Sequence, residues 1–132
     1  MPVIEFPYSL HKGYLMPIIP IAIQDHKVWV YVDSGATFSM IGAAEAGDMG
    51  INWQGGRRQM VVVGDGSYIP TFIHDVSIQL GTFQITVPIG FSERLGAGFN
   101  LLGRMGVFNQ FEVCFNDRAR KVTFQPLLPD VV

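Results

Sequence analysis

Cysteine and charge are what this sequence has least of. Cys114 is the one cysteine in 132 residues, which excludes an internal disulfide and a Cys-rich zinc site. Asp, Glu, Lys and Arg make up 15% of the chain, against about 25% in an average globular domain. Nine basic residues stand against eleven acidic ones, for a net charge of −2 with His neutral. That balance offers no basic face for nucleic acid or an anionic membrane. His11, His26 and His74 have no ligand spacing such as H-E-x-x-H, so no metal or other cofactor is expected. Long apolar runs are missing as well. The stretch 14–23 is broken by Pro17 and Pro20 and is too short to span a bilayer. The first residues lack the basic head and small-residue cleavage site of a signal peptide. A soluble protein is therefore expected, in the cytoplasm or another soluble compartment, with no membrane partner. Helical periodicity is scarce too: only 41–48 and 103–110 could hold a turn or two.

Hydrophobic residues, by contrast, make up 48%. A chain this long buries roughly two-thirds of its unfolded surface and needs no covalent staple. We read it as one domain, 1–132, with a core over about 17–125 and terminal arms at 1–16 and 126–132. The dominant pattern has period two. Val28, Val30 and Val32 alternate with Lys27, Trp29 and Tyr31, and Val76, Ile78 and Leu80 alternate with Ser77 and Gln79. Phe83, Ile85 and Val87 repeat the pattern, as do Phe111, Val113 and Phe115 before Val122 and Phe124. Such alternation places one set of side chains on a core face. Turn formers separate the runs: Gln24-Asp25-His26, Gly64-Asp65-Gly66 and Gly81. The fold class is all-β, a barrel or sandwich of short strands and hairpins.

One segment stands apart. The apolar strand Val28-Trp29-Val30-Tyr31-Val32 runs straight into Asp33, then Ser34, Gly35, Ala36 and Thr37. Asp-Ser-Gly would open a surface turn well. However, a carboxylate ending a buried strand needs a reason, because an unpaired buried charge is costly. A second segment strengthens the reading: Asn100-Leu101-Leu102-Gly103-Arg104, followed by the hairpin sequence FEVCFNDRARKVTF.

Together these segments resemble the retropepsin family, the retroviral-type aspartic proteases and their cellular and bacterial relatives. The order of parts agrees over about residues 17–124. The resemblance implies a closed, barrel-like acid-protease fold with a flap hairpin and one short C-terminal helix, active as a two-fold homodimer. Asp33 is then the catalytic residue. Gly35 lets the backbone pass close behind the carboxylate and offer it an N–H. The Ser34 hydroxyl crosses to the partner strand and locks two Asp loops together, with Ala36 and Thr37 completing the loop. Asn100, Leu101, Leu102, Gly103 and Arg104 support the site. Hydrolysis needs two carboxylates sharing one proton, one taking a proton from water while the other donates to the scissile carbonyl. No other Asp of the chain is followed by Ser/Thr-Gly. The dyad therefore requires a second copy, with one Asp33 on each side of the axis.

The flap is expected from Met60 to Ile73, its tip at Val63, Gly64, Asp65 and Gly66. A peptide or protein substrate would bind as an added strand. Val61, Val63, Ile69 and the segment Pro88-Ile89-Gly90 are candidate apolar pocket walls, which implies apolar residues around the scissile bond. Some features depart from the family. Thr37 stands where many retroviral members have an Asp that pairs with the Arg after Leu-Leu-Gly, so Arg104 lacks its usual partner. The loop 90–99 and the terminal arms look long. Cys114 reads as a small core hydrophobe. The rival reading is a catalytically silent pepsin-fold dimer acting as a peptide-binding or dimerisation module.

Overall fold

The structure, a computed structural model, describes residues 2–95 and 99–128. The strands in chain order are β1 Ile4–Pro7, β2 Ser9–His11, β3 Tyr14–Met16, β4 Ile18–Ile23, β5 His26–Val32 and β6 Ser39–Gly42. The helix α1, Ala43–Asp48, and a 3-10 turn, Trp53–Gly55, precede β7 Arg57–Val62, β8 Tyr68–Leu80 and β9 Phe83–Ser92. Then come β10 Leu101–Leu102, β11 Phe111–Asn116 and β12 Lys121–Pro126.

Alternation sets the packing. In β5 the side chains of Val28, Val30 and Val32 are no more than 1% exposed, while Trp29 between them is 49% exposed. β8 and β9 bury Val76, Ile78, Leu80, Val87 and Ile89 against the same core, and Phe111, Val122 and Phe124 close it from below. Turn chemistry sets the register. Gln24 and Asp25 both take left-handed φ, 50° and 65°, and join β4 to β5 with Ile23 opposite His26. That is the two-residue hairpin whose twist suits paired strands.

Seven strands form the main sheet in the order β4-β5-β10-β6-β9-β8-β7, and β4 also pairs with β8. The sheet thus curls towards closure. β10 is the short piece that matters for the site. It slots between β5, to which it is parallel, and β6, to which it is antiparallel. A three-stranded sheet, β1-β12-β11, and the small hairpin β2-β3 complete the described strands. Among the described residues, no helix is long and apolar enough to cross a membrane.

The N-terminal arm carries strands: β1 pairs with β12 from Ile4↔Phe124 to Pro7↔Lys121, and β2-β3 is a hairpin. Pro2 and Pro7 interrupt the alternation there and mask it. Two expectations are corrected. The short C-terminal helix expected over 103–110 is a run of turns, with the amides of Phe108 and Phe111 donating to the carbonyls of Arg104 and Val107. Gly106, at φ +80° inside the first of these turns, takes the chain out of helical geometry. The regular helix is α1, at the other candidate position. Cys114 is exposed, because the period that turns Phe111 and Val113 inward turns residue 114 out. The expected long loop 90–99 and the C-terminal arm lie partly outside the described residues, which omit 96–98 and 129–132.

Candidate active site

β5 ends at Val32, and the chain turns at once. The Asp33 amide donates to the Leu102 carbonyl at 3.0 Å, and the Ala36 amide donates back to the Asp33 carbonyl at 3.2 Å. Asp33 is half-buried as a residue, and its Oδ1 accepts the Gly35 amide at 2.9 Å. The loop therefore aims the carboxylate and satisfies one of its oxygens from within three residues.

The Leu-Leu-Gly-Arg segment braces this loop from the other side. The Arg104 amide donates to the Ala36 carbonyl at 2.8 Å, and the Met105 amide to the Thr37 carbonyl at 2.9 Å. Gly103 is needed for close approach: a Cβ there would lie 2.4 Å from the Phe38 carbonyl oxygen, well inside van der Waals contact. Asn100 ties the segment to its neighbours. Its Oδ1 accepts the Gly42 amide at 3.0 Å, and its Nδ2 donates to Glu45 Oε2 at 2.5 Å and to the Trp29 carbonyl at 3.3 Å. Ser34 is exposed, and its hydroxyl has no partner among the described residues.

β7 and β8 form the flap hairpin, paired from Arg57↔Ile73 to Val62↔Tyr68. Its three-residue loop Gly64-Asp65-Gly66 is closed by the Val63 amide on the Ser67 carbonyl, 2.9 Å, with Gly66 at φ +84°. That combination is a turn followed by a left-handed bulge residue. Asp65 Oδ1 accepts both the Ser67 amide, at 2.9 Å, and the Ser67 hydroxyl, at 2.6 Å. These bonds to the charged form hold the Asp65 carboxyl below the usual range. The hairpin's base is pinned by His74, whose Nε2 lies 2.8 Å from the Trp53 carbonyl.

Between flap and loop lies a cleft of about 550 Å³. Asp33, Gly35, Ala36 and Thr37 floor it, and Val61, Val63 and Gly64 reach it from the flap. Apart from Gln59, its other walls are apolar: Phe38, Met40, Met60, Val62, Leu95, Phe99 and Leu101. Of the expected pocket residues, Val61 and Val63 line the cleft. Ile69, Pro88 and Ile89 do not; Ile69 and Ile89 are at most 1% exposed and belong to the core. Both lie on the inward face of long strands whose other face was the one available. Asp65 and Gly66 stand at the exposed tip beyond the cleft. Sequence reasoning missed Phe38, Met40, Leu95 and Phe99, which carry no pattern beyond being apolar. It also missed Ser39, whose Oγ accepts the Gly103 amide.

The aspartyl protease family profile matches residues 19–105. The chain belongs to the aspartyl protease family. Its fold is that of the retropepsin-like enzymes. A retropepsin-like aspartic protease from Rickettsia conorii superposes with a TM-score of 0.68 at 16% identity, covering 93% of this chain and 91% of that one. EIAV protease, in complex with the inhibitor HBY-793, superposes with a TM-score of 0.55 at 21% identity, covering 73% of this chain and 88% of that one. No curated protein sequence matches the chain significantly.

Proposed function

We propose that this member of the family is an aspartic endopeptidase whose dyad is Asp33 from each of two protomers. The observation that carries the reading is the placement of Asp33. It is the one acidic residue lining an apolar cleft covered by a hairpin, and its loop holds it by backbone bonds rather than by a neighbouring cation. One carboxylate alone cannot act as both base and acid. Two brought together by a two-fold axis share a proton and titrate as a pair. The ionised partner takes a proton from the attacking water, and the protonated one donates to the scissile carbonyl. Gly35, Ala36 and the Leu-Leu-Gly-Arg brace keep the pair in position through this cycle.

The flap would lie over an extended peptide and exclude water from it. Main-chain bonds would hold the peptide as an added strand. Phe38, Met40, Met60, Leu95 and Phe99 favour apolar side chains around the scissile bond.

The test is incubation of the purified protein with a mixed peptide library, with and without a statine-type inhibitor. Inhibitor-sensitive cleavage next to apolar residues supports the reading. Peptides bound but left whole by a dimer would instead identify a binding module.

A further inference from the structure

The two strands of the flap are held very differently. β8 is built into the body of the protein: from Phe72 to Leu80 it pairs with β9, and Ile69, Thr71 and Ile73 are buried. β7 is the edge strand of the main sheet, pairs with β8 alone, and has no buried residue. Yet Met60 and Val61 of β7 line the cleft. Core packing therefore does not fix how β7 stands over Asp33. Its attachment at the root of the hairpin does.

One side chain makes that attachment. The 3-10 turn Trp53–Gly55 leads straight into β7, and the Trp53 carbonyl lies 2.8 Å from His74 Nε2 on β8. A carbonyl only accepts, so this ring nitrogen carries a proton and donates it. His74 is itself backed by β9, its ring edge-on to that of Phe91 with centroids 5.5 Å apart. Trp53 meets Phe72 edge-on at 5.3 Å. Gly56, between the turn and β7, is pressed against the same imidazole: a Cβ there would lie 2.6 Å from its ring atoms. Contact is thus continuous from the incoming strand through His74 to β9. Beyond it the hairpin runs for six residue pairs, from Arg57↔Ile73 to Val62↔Tyr68. Such an arm is about 20 Å long on strands about 5 Å apart, so a tilt at the root is magnified about fourfold at the tip.

We propose that His74 is a positioning residue for the flap: its bond to the Trp53 carbonyl sets the height of β7 over Asp33, and with it the fit of the cleft around a bound peptide. The inference rests on the protease reading and deepens it. His74 does not line the cleft and acts through β7. The bond needs an N–H and not a charge. Glutamine, whose amide nitrogen donates from the same place as the imidazole Nε2, should serve in its stead. Phenylalanine keeps a ring against Phe91 and donates nothing.

The experiment compares wild type, His74→Phe and His74→Gln on one apolar-centred peptide. His74→Phe should raise KM about 3- to 10-fold, the worth of one hydrogen bond, with kcat changed less. His74→Gln should restore KM. Hydrogen exchange should follow the same order, with the amides of residues 60–66 exchanging faster in His74→Phe and at the wild-type rate in His74→Gln. Each change is also made in Asp33→Asn protein, where peptide affinity is read by fluorescence anisotropy without cleavage. Should His74→Phe not fold, His74→Asn, with the same amide one methylene short, gives the contrast with His74→Gln. Affinities that follow this order while no protein of the set cleaves the peptide would sink the protease reading alone. A His74→Phe protein with a lowered urea midpoint but wild-type KM, peptide affinity and flap exchange would overturn the role of His74, because the bond would then serve stability only. A His74→Gln protein that matches His74→Phe in all three would overturn it as well.

Discussion

Ser39 Oγ accepts the backbone amide of Gly103 at 3.0 Å, with Ser39 only 1% exposed. The bond joins the start of β6, just after the Asp33 loop, to the residue following β10. Removing the hydroxyl strands a buried N–H, which costs about 1–3 kcal/mol. Ser39→Ala should therefore lower the unfolding free energy by that amount, read as a lower urea midpoint at unchanged slope, and kcat should fall because the brace on the loop loosens. An unchanged midpoint would mean that the Gly103 amide finds another partner. Gly103→Ala is expected to be worse, since the added methyl has no space against the Phe38 carbonyl.

Asp33→Asn should leave the fold intact, because the amide keeps the carboxylate's shape. Cleavage should drop below about one part in a thousand of wild type, as an amide cannot take the water's proton. Circular dichroism and a quenched-fluorescence peptide assay check the two halves. Residual turnover well above that level would falsify the water-activating role.

How far the sequence alone reached can be judged residue by residue. The strands Val28-Val30-Val32 and Val76-Ile78-Leu80 were legible because burial on one face writes a period of two into the sequence. The Asp33 loop and the Gly103 segment were legible because close backbone approach leaves few residue types to choose from. β1 and β2 were not: β1 pairs with the distant β12 and ends at Pro7, and β2 is only three residues long. The cleft walls were the least legible. Phe99 and Leu95 reach the cleft from far along the chain, and Ile69 and Ile89 look equally apolar yet point into the core. Periodicity says which residues share a face but not what that face meets.

Ser34 tests the assembly. Its hydroxyl is exposed and without a partner among the described residues, next to the carboxylate proposed to meet its copy across a two-fold axis. Ser34→Ala should weaken the dimer by the value of about one hydrogen bond, roughly 0.5–1.5 kcal/mol, and leave the protomer's own stability unchanged. Sedimentation equilibrium gives the dimer constant, and denaturation at a concentration where only monomer is present gives the other. Identical dimer constants for the two proteins would remove Ser34 from the interface.

Tyr8 gives a pH-dependent prediction away from the cleft. Its ring is buried, 8% exposed, and its hydroxyl donates to Asp117 Oδ1 at 2.8 Å. Burial, then the bond to Asp117 and the charge of Asp117, push its pKa from 10.0 to about 12. The folded protein therefore holds this proton to higher pH than the unfolded chain does. The stabilisation is fully present below pH 10, because both states are then protonated. Above that the unfolded chain ionises first, and the contribution is lost as pH rises through about 12. Tyr8→Phe removes the bond and the titration together. At pH 8 the variant should be less stable by about 1 kcal/mol, and the gap should narrow steadily as pH rises past 10. Urea unfolding of both proteins from pH 8 to the alkaline limit of the native state reads this difference directly. Absorbance at the tyrosinate band provides a second view: one of the four tyrosines should ionise late in wild type, and that late component should be missing from the variant. A gap that stays constant with pH would mean that the Tyr8 hydroxyl is not held by Asp117 in solution.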